Sequence, residues 1–230
     1  KVAKNLLRFR YSLLNKARKR ASELNQKGAL FPWRTINGDE ASAFFAAGTA
    51  QYHINADIMY ALRKYVEVTG DEEFLFEYGA EMLIETARFW ADLGFYSTNG
   101  KDKFHIHGVT GPDEYTAIVN NNAFTNMMAR ENLRYAVESL ELLQKKRPDS
   151  FEALAKDTHL EMEEIEEWSN AAAKMYIPFD KEMGIHPQDD EFLKKEVWDF
   201  ENTPKETYQL LLNYHPLVIY RFQVIKQADI

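Results

Sequence analysis

Glu114 stands in the stretch HIHGVTGPDEYTAIVNNNAFTN, residues 105–126, with Gly111, Pro112 and Asp113 before it and Tyr115 after it. Pro112 presets φ and Gly111 frees the backbone just before it, so the Gly-Pro-Asp-Glu run makes a turn that projects Glu114 from a constrained backbone. A carboxyl group beside an aromatic ring and partly removed from water holds its proton to higher pH and can then donate it. Asn120, Asn121 and Asn122 supply hydrogen-bonding amides close by. The plainer alternative is that Asp113 and Glu114 decorate the turn or cap the helix after residue 120.

The segment ALFPWRTINGDEASAFFAAGTAQYHINAD, residues 29–57, interleaves aromatic rings with Arg34, Asp39, Glu40, His53 and Asn55. A sugar needs both kinds of group, because its C–H faces stack on rings while its hydroxyls demand directed donors and acceptors. Phe44, Phe45 and Tyr52 read as core, whereas Trp33, following Pro32 in a loop, reads as a sugar platform. His105 and His107 alternate along a short strand and share a face, and His53 and Asp57 lie one helical turn apart. Without a motif such as H-E-x-x-H these pairs read as hydrogen-bonded structural histidines rather than metal ligands. A glycine-rich phosphate loop, a dinucleotide fingerprint and a serine nucleophile elbow are all missing from the sequence, which disfavours nucleotide-driven chemistry.

The elements that must position these residues are helical. Leu6, Leu7, Tyr11, Leu14, Ala17, Ala21 and Leu24 form one apolar face of a helix of about six turns. A second helix is expected from about Ala50 to Val68. Gly70 then takes the left-handed position after it, and Asp71 caps an incoming helix carrying Phe74, Leu75, Met82, Leu83, Phe89 and Trp90. FTNMMARENLRYAVESLELLQKK forms a long helix, and the helix in THLEMEEIEEWSNAAAKMY shows Thr158 and Glu161 at capping-box spacing. TPKE at 203–206 repeats the signature, with Thr203 as cap and Pro204 in the first turn. The terminal YRFQVIKQADI also has a helix-like pattern. The expected architecture is all-α, built of helical hairpins, with long polar loops at 27–50, 95–124 and 177–203 where function is most often placed.

A chain of 230 residues with 45% hydrophobic content can bury one sizeable core. The net charge of −8, with basic residues clustered only at 18–20 and 145–147, argues against nucleic acid as a partner. The absence of cysteine excludes disulfides and thiolate zinc sites and fits a reducing compartment. With no signal peptide and no apolar run long enough to span a bilayer, the expectation is a cytoplasmic protein without a membrane partner. Lys1 at the start and the uncapped apolar end give the expectation of a piece of a larger protein.

GVTGPDEYTAIVNNNAFTN resembles the catalytic-acid segment of glycoside hydrolase family 65. That family holds the disaccharide phosphorylases for maltose, kojibiose, nigerose, trehalose and trehalose 6-phosphate. The resemblance extends through PWRTINGDE, AGTAQYHINADI, TGDEEFLFEYGAEMLIETARFW and NYHPLVIYRFQVIKQAD, and so over nearly the whole chain. It implies an (α/α)6 barrel, of which residues 1–230 would hold a consecutive central portion of the catalytic domain.

The resemblance also implies inverting phosphorolysis, in which an α-linked glucosyl disaccharide and phosphate give β-glucose 1-phosphate and an acceptor sugar. Glu114 matches the family's general acid, and Lys226 and Gln227 match residues that hold hydroxyls of the cleaved glucose. Trp33, Arg34 and Asn55 would line the acceptor subsite. Inorganic phosphate is the implied co-substrate, with no cofactor and no metal, and a homodimer is the implied assembly. A Trp-Asp segment is expected just before residue 1 and a His- and Ser-rich phosphate-binding segment after residue 230, so residues 1–230 alone are expected to be inactive. The competing readings are an inverting, trehalase-like (α/α)6 hydrolase and a non-catalytic sugar-binding helical module. The linkage and the acceptor stay open at this stage.

Overall fold

The computed structural model describes residues 1–42, 46–98 and 102–228; Phe44, Phe45 and Asp229 lie outside them. Helices dominate. The first is broken where one long helix was expected: α1 spans Val2–Ser12 and α2 spans Leu14–Glu23, with Leu13 between them at φ −97° and ψ 0°. Ser12 supplies the cause, since its hydroxyl donates to the Phe9 carbonyl at 2.7 Å and competes with the helical ladder. The break brings Leu13 and Leu14 into the core beside Leu7, Ala17 and Ala21, and leaves Leu6 and Leu24 exposed.

After a 3₁₀ turn at Ala46–Ala50, α3 runs over Ile54–Thr69, four residues later than the helical pattern suggested. Gly70 ends it at φ 67°, where an L side chain would be strained, and its N–H reaches the Val66 carbonyl at 2.8 Å. Asp71 then caps the next helix by accepting from the Phe74 N–H at 3.2 Å, as expected. That helix begins as α4, Glu72–Phe74, passes through a π-helical turn at Leu75–Gly79 and continues as α5, Ala80–Leu93. Phe74, Leu75, Met82, Leu83, Phe89 and Trp90 all point into the core.

Gly94 closes α5 because a Cβ there would fall 2.2 Å from the Phe104 ring. That close approach lets the short antiparallel pair β1, Phe95–Tyr96, and β2, Phe104–His105, fold back on the helices. The longest helix, α6, Ala123–Lys146, packs on α3, α5, α7 (Pro148–Thr158) and α8 (Met162–Lys174). Its buried Asn132 accepts from the Trp90 indole N–H at 3.1 Å and donates to the Thr86 hydroxyl at 3.1 Å, so these three side chains satisfy one another inside the core.

The capping box of α8 is formed by Glu161 and Glu164 rather than by Thr158 and Glu161. Thr158 is still inside α7, its hydroxyl bonded back to the Leu154 carbonyl at 2.7 Å, and His159 turns the chain at φ 51°. Arg88 of α5 locks this corner with a two-pronged bond to Glu164 at 2.7 and 2.8 Å and a third to the Thr158 carbonyl at 2.9 Å.

A second, smaller hydrophobic cluster joins Tyr115, Trp198, Leu210, Ile219 and Val224. Here the local patterns of the sequence mislead. Thr203 does not cap a helix, because its hydroxyl accepts from the Trp198 indole at 2.9 Å and donates to the Asp199 carbonyl, and only a 3₁₀ turn at Lys205–Thr207 follows. The terminal apolar pattern forms β4, Phe222–Gln223, parallel to β3, Glu196–Val197, instead of a helix. Gln223 fixes this geometry by donating to the carbonyls of Leu193 and Lys195 at 3.1 and 2.8 Å. The short α9, Leu210–Asn213, and α10, Pro216–Ile219, complete the cluster.

Asp71 also joins α1 to α3, accepting from Lys4 at 2.6 Å and from the Tyr65 hydroxyl at 2.5 Å. Lys4 first and Tyr65 second hold its carboxyl down at about 2. A depressed carboxyl contributes its stability above its unfolded value and loses it as pH falls towards the folded one. Asp71→Ala should therefore lower unfolding free energy by about 1 to 2 kcal/mol at pH 7, the usual worth of a cap with side-chain partners. In urea titrations the gap to the unsubstituted protein should close as pH falls from about 4 towards 2; a gap that stays the same size would contradict the assignment.

Candidate active site

The loop that carries Glu114 is built by backbone pairing. Val109 and Val119 exchange N–H to carbonyl bonds of 3.0 and 2.8 Å and close residues 109–119 into a compact excursion. Below them the Asn121 N–H reaches the Ile106 carbonyl at 2.8 Å. Ile118, a β-branched residue at φ 55°, and Asn121 at φ 52° occupy the left-handed region. Asparagine tolerates that conformation, whereas at Ile118 it stores strain of the kind found at functional loops.

Each of the three asparagines has a structural task. Asn120 accepts from the Gly108 N–H at 3.2 Å. Asn121 accepts from the Ile106 N–H at 3.2 Å and donates to Asp190 at 2.6 Å. Asn122 caps α6 by accepting from the Thr125 N–H at 2.9 Å and donates to the Gln188 carbonyl at 3.1 Å. The helix cap is thus Asn122, and the capping alternative for Asp113 and Glu114 falls away.

Asp113 and Glu114 have opposite environments. The Asp113 side chain is fully buried and receives the Tyr115 N–H at 3.2 Å, the Gln188 amide at 2.9 Å and the Lys226 N–H at 3.3 Å. Burial pushes its carboxyl above the usual range, and the bonds from Tyr115, Gln188 and Lys226 pull against that rise. Glu114 faces outward, with about a fifth of its side chain exposed, and its carboxylate is paired with the Lys226 ammonium. Gln227 sits on the same turn, its amide directed at the Pro112 carbonyl at 3.4 Å. Three residues named from the sequence, Glu114, Lys226 and Gln227, therefore meet in one place.

Tyr115, next to Glu114, is buried in the second cluster and anchors the loop from beneath. A cavity of about 430 Å³ opens beside it, lined by Tyr115, Lys226, Leu210, Val224, Phe200 and Tyr208.

Trp33 and Arg34 lie on a neighbouring loop that Glu40 organises. The Glu40 carboxylate accepts from the backbone N–H of Trp33 at 2.9 Å and of Arg34 at 3.2 Å, and Arg20 stands 3.3 Å from it. The exposed Arg34 guanidinium stacks 4.1 Å above the Trp33 ring, so the two present one aromatic and cationic surface. Asp39 is paired elsewhere, with Lys16 at 3.0 Å. This loop leads into the Ala46–Ala50 turn, whose carbonyls at Ala47 and Ala50 receive the Thr110 hydroxyl at 2.8 Å and N–H at 3.1 Å. Thr110 thereby ties it to the Glu114 loop.

Asn55 does not present its amide to a ligand. It is fully buried, accepts from the Phe31 N–H at 2.8 Å and donates to the Ala29 carbonyl at 2.8 Å. Its work is to hold the backbone that leads into Pro32 and Trp33. The histidines also have structural partners: His53 bonds Asp57 at 2.7 Å and Gln51 at 3.1 Å, and His105 stacks on Tyr176 at 4.7 Å. Among the described residues no group of three or more His, Cys, Asp or Glu side chains could hold a metal ion, and no helix is long and apolar enough to cross a membrane.

Asp113 as a clamp supported by Gln188, and Asp190 as the acceptor for Asn121, were not legible in the sequence. The PQDD run at 187–190, inside one of the long loops, was the available signal. Its partners lie 66 to 75 residues away, which no local pattern reveals.

The glycosyl hydrolase family 65 central catalytic domain matches residues 1–230. The chain is 58% identical to the alpha,alpha-trehalose phosphorylase of Geobacillus stearothermophilus, covering 99% of this chain and 30% of that protein. It is 54% identical to the alpha,alpha-trehalose phosphorylase of Thermoanaerobacter brockii, with 100% and 30% covered. A solved structure described as "Putative kojibiose phosphorylase from human microbiome" superposes with a TM-score of 0.89 at 32% identity, over 99% of this chain and 30% of that one. The chain thus spans 30% of the length of the relatives it matches. With the match running from end to end, the chain belongs to glycosyl hydrolase family 65, as part of its central catalytic domain.

Proposed function

We propose that this chain, within the full-length protein, carries the general acid of an inverting disaccharide phosphorylase acting on α,α-trehalose. The observation that carries this reading is the meeting of Glu114 with Lys226 across the buried Asp113. Once the bound sugar has drawn the Lys226 ammonium away, Glu114 takes up a proton from solvent and gives it to the glycosidic oxygen as the C1–O bond breaks, and the electron pair of that bond leaves with the released glucose. A phosphate oxygen attacks C1 from the opposite face, so the product is β-glucose 1-phosphate.

Phosphate is already an anionic nucleophile. A second carboxylate to activate water, which an inverting hydrolase requires, has no task here. Inorganic phosphate is the co-substrate in this reading, and no cofactor takes part. Lys226 and Gln227 hold hydroxyls of the cleaved glucose, and binding that sugar draws the Lys226 ammonium off Glu114. Trp33 supplies the acceptor side with a stacking face that Arg34 extends. Trehalose is favoured over other linkages by the two trehalose phosphorylases among the relatives, and the cysteine-free composition supports a cytoplasmic enzyme.

The test is glucose release from trehalose by the full-length protein with and without phosphate, beside Glu114→Gln. Release should require phosphate, and Glu114→Gln should lower kcat by about 10²- to 10⁴-fold, the range of general-acid assistance. Release without phosphate would favour the hydrolase reading, and an active Glu114→Gln would remove the assigned acid.

Asp113→Ala breaks the clamp, including the bond from the Lys226 N–H, while leaving the Glu114 and Lys226 side chains unaltered. Removing a buried acceptor of several bonds leaves its donors unpaired, at about 1 to 3 kcal/mol each. Activity on trehalose should fall about 10- to 100-fold, since each 1.36 kcal/mol lost in the transition state is tenfold in rate. Wild-type turnover in a folded Asp113→Ala protein would show that the clamp does not position the site.

A further inference from the structure

Tyr220 closes α10 and stands between Ile219, which is fully buried in the cluster with Tyr115, and the turn that carries Lys226. Its neighbour Ile219 packs in one cluster with Tyr115, the residue after Glu114, and the chain from Tyr220 leads through β4 to Lys226, the partner of Glu114. The Tyr220 hydroxyl is buried and has no hydrogen-bond partner among the described residues. A buried donor left unmade costs about 1 to 3 kcal/mol, and groups of this kind in a native fold call for an explanation. Burial first, and then the negative charge of Glu114, push the phenol above its ordinary value, so the carboxylate lies within electrostatic reach of this oxygen. A phenol in that state stays protonated and remains a donor.

We propose that Tyr220 is a positioning residue for the general acid, donating its O–H to Glu114 once a bound sugar has taken the Lys226 ammonium. The inference rests on the phosphorolysis reading. As the Glu114 proton passes to the glycosidic oxygen and phosphate closes on C1, negative charge appears on the carboxylate that Lys226 has left. A preorganised O–H near that carboxylate stabilises the charge as it develops, which lowers the barrier rather than the ground state. The same arrangement gives the orphaned hydroxyl its partner.

The experiment compares Tyr220→Phe with the unsubstituted full-length protein on two donors, each with phosphate. One is trehalose, whose glucose leaving group needs a proton. The other is α-glucosyl fluoride, whose fluoride departs with little help from an acid. On trehalose kcat should fall about 10- to 100-fold with KM changed less than about threefold, the signature of an interaction made in the transition state. On α-glucosyl fluoride kcat should stay within about threefold of the unsubstituted value, because protonation of the leaving group is bypassed.

Tyr220→Phe should melt no lower than the unsubstituted protein, since it deletes an unsatisfied buried donor and keeps the ring. Equal losses on both donors, a raised KM with kcat intact, wild-type activity, or a lowered Tm would each overturn the proposal. Glu114→Gln in the same assay separates the two levels. If it retains trehalose turnover, the phosphorolysis reading fails; if it loses turnover while Tyr220→Phe does not, only the role of Tyr220 fails.

Discussion

The buried carboxylate of Asp113 is the constraint on which the rest of the site depends. A charged oxygen pair with no exposed surface is tolerated only when donors surround it, and here they come from three separate parts of the chain. Tyr115 belongs to the Glu114 loop, Gln188 to the long loop after α8, and Lys226 to the turn after β4. Any arrangement that lets one of these segments drift leaves an uncompensated charge in an apolar setting. The carboxylate thus makes loop geometry a matter of electrostatics, and it does so beside the outward-facing Glu114.

The helices give that clamp something rigid to stand on. Asn122 links the cap of α6 to the Gln188 carbonyl, and the Ala123 N–H reaches the same carbonyl at 3.0 Å, so the longest helix begins at the foot of the site. Asn126, one turn in, donates to the Tyr176 carbonyl at 2.7 Å, fixing the exit of α8 against α6. Farther out, Arg88 on Glu164 and Asn132 between Trp90 and Thr86 keep the packed helices in register. The loop after α8 is tied to the start of α6 by the side-chain amides of Asn122 and Asn126 rather than by apolar contact alone.

What could be read in the sequence follows from the range of each interaction. Gly70 and Asp71 were legible because a left-handed turn and a cap are settled within a few residues. The helices carrying Phe74 to Trp90 and residues 123–146 were legible because their apolar period is long. Thr203 was misread because Trp198 claims its hydroxyl, and YRFQVIKQADI was misread because pairing with β3 overrides a helix-like pattern in a short segment. Glu114 stood out through its turn chemistry, whereas Lys226 was reachable only through family resemblance, since 112 residues separate the pair. Asn55 had the right residue type for a sugar site, but its amide completes the backbone bonds of Ala29 and Phe31. Asp113, one position from the residue of interest, looked like turn decoration because its partners are remote in sequence.

The most direct test of this account is amide hydrogen exchange at Tyr115 and Lys226, compared between the unsubstituted protein and Asp113→Ala. If one buried carboxylate holds both segments, the two amides lose protection together in the variant while those in the middle of α6 keep theirs. Loss at Tyr115 with Lys226 unchanged would contradict it, because the lysine turn would then be held by something other than Asp113.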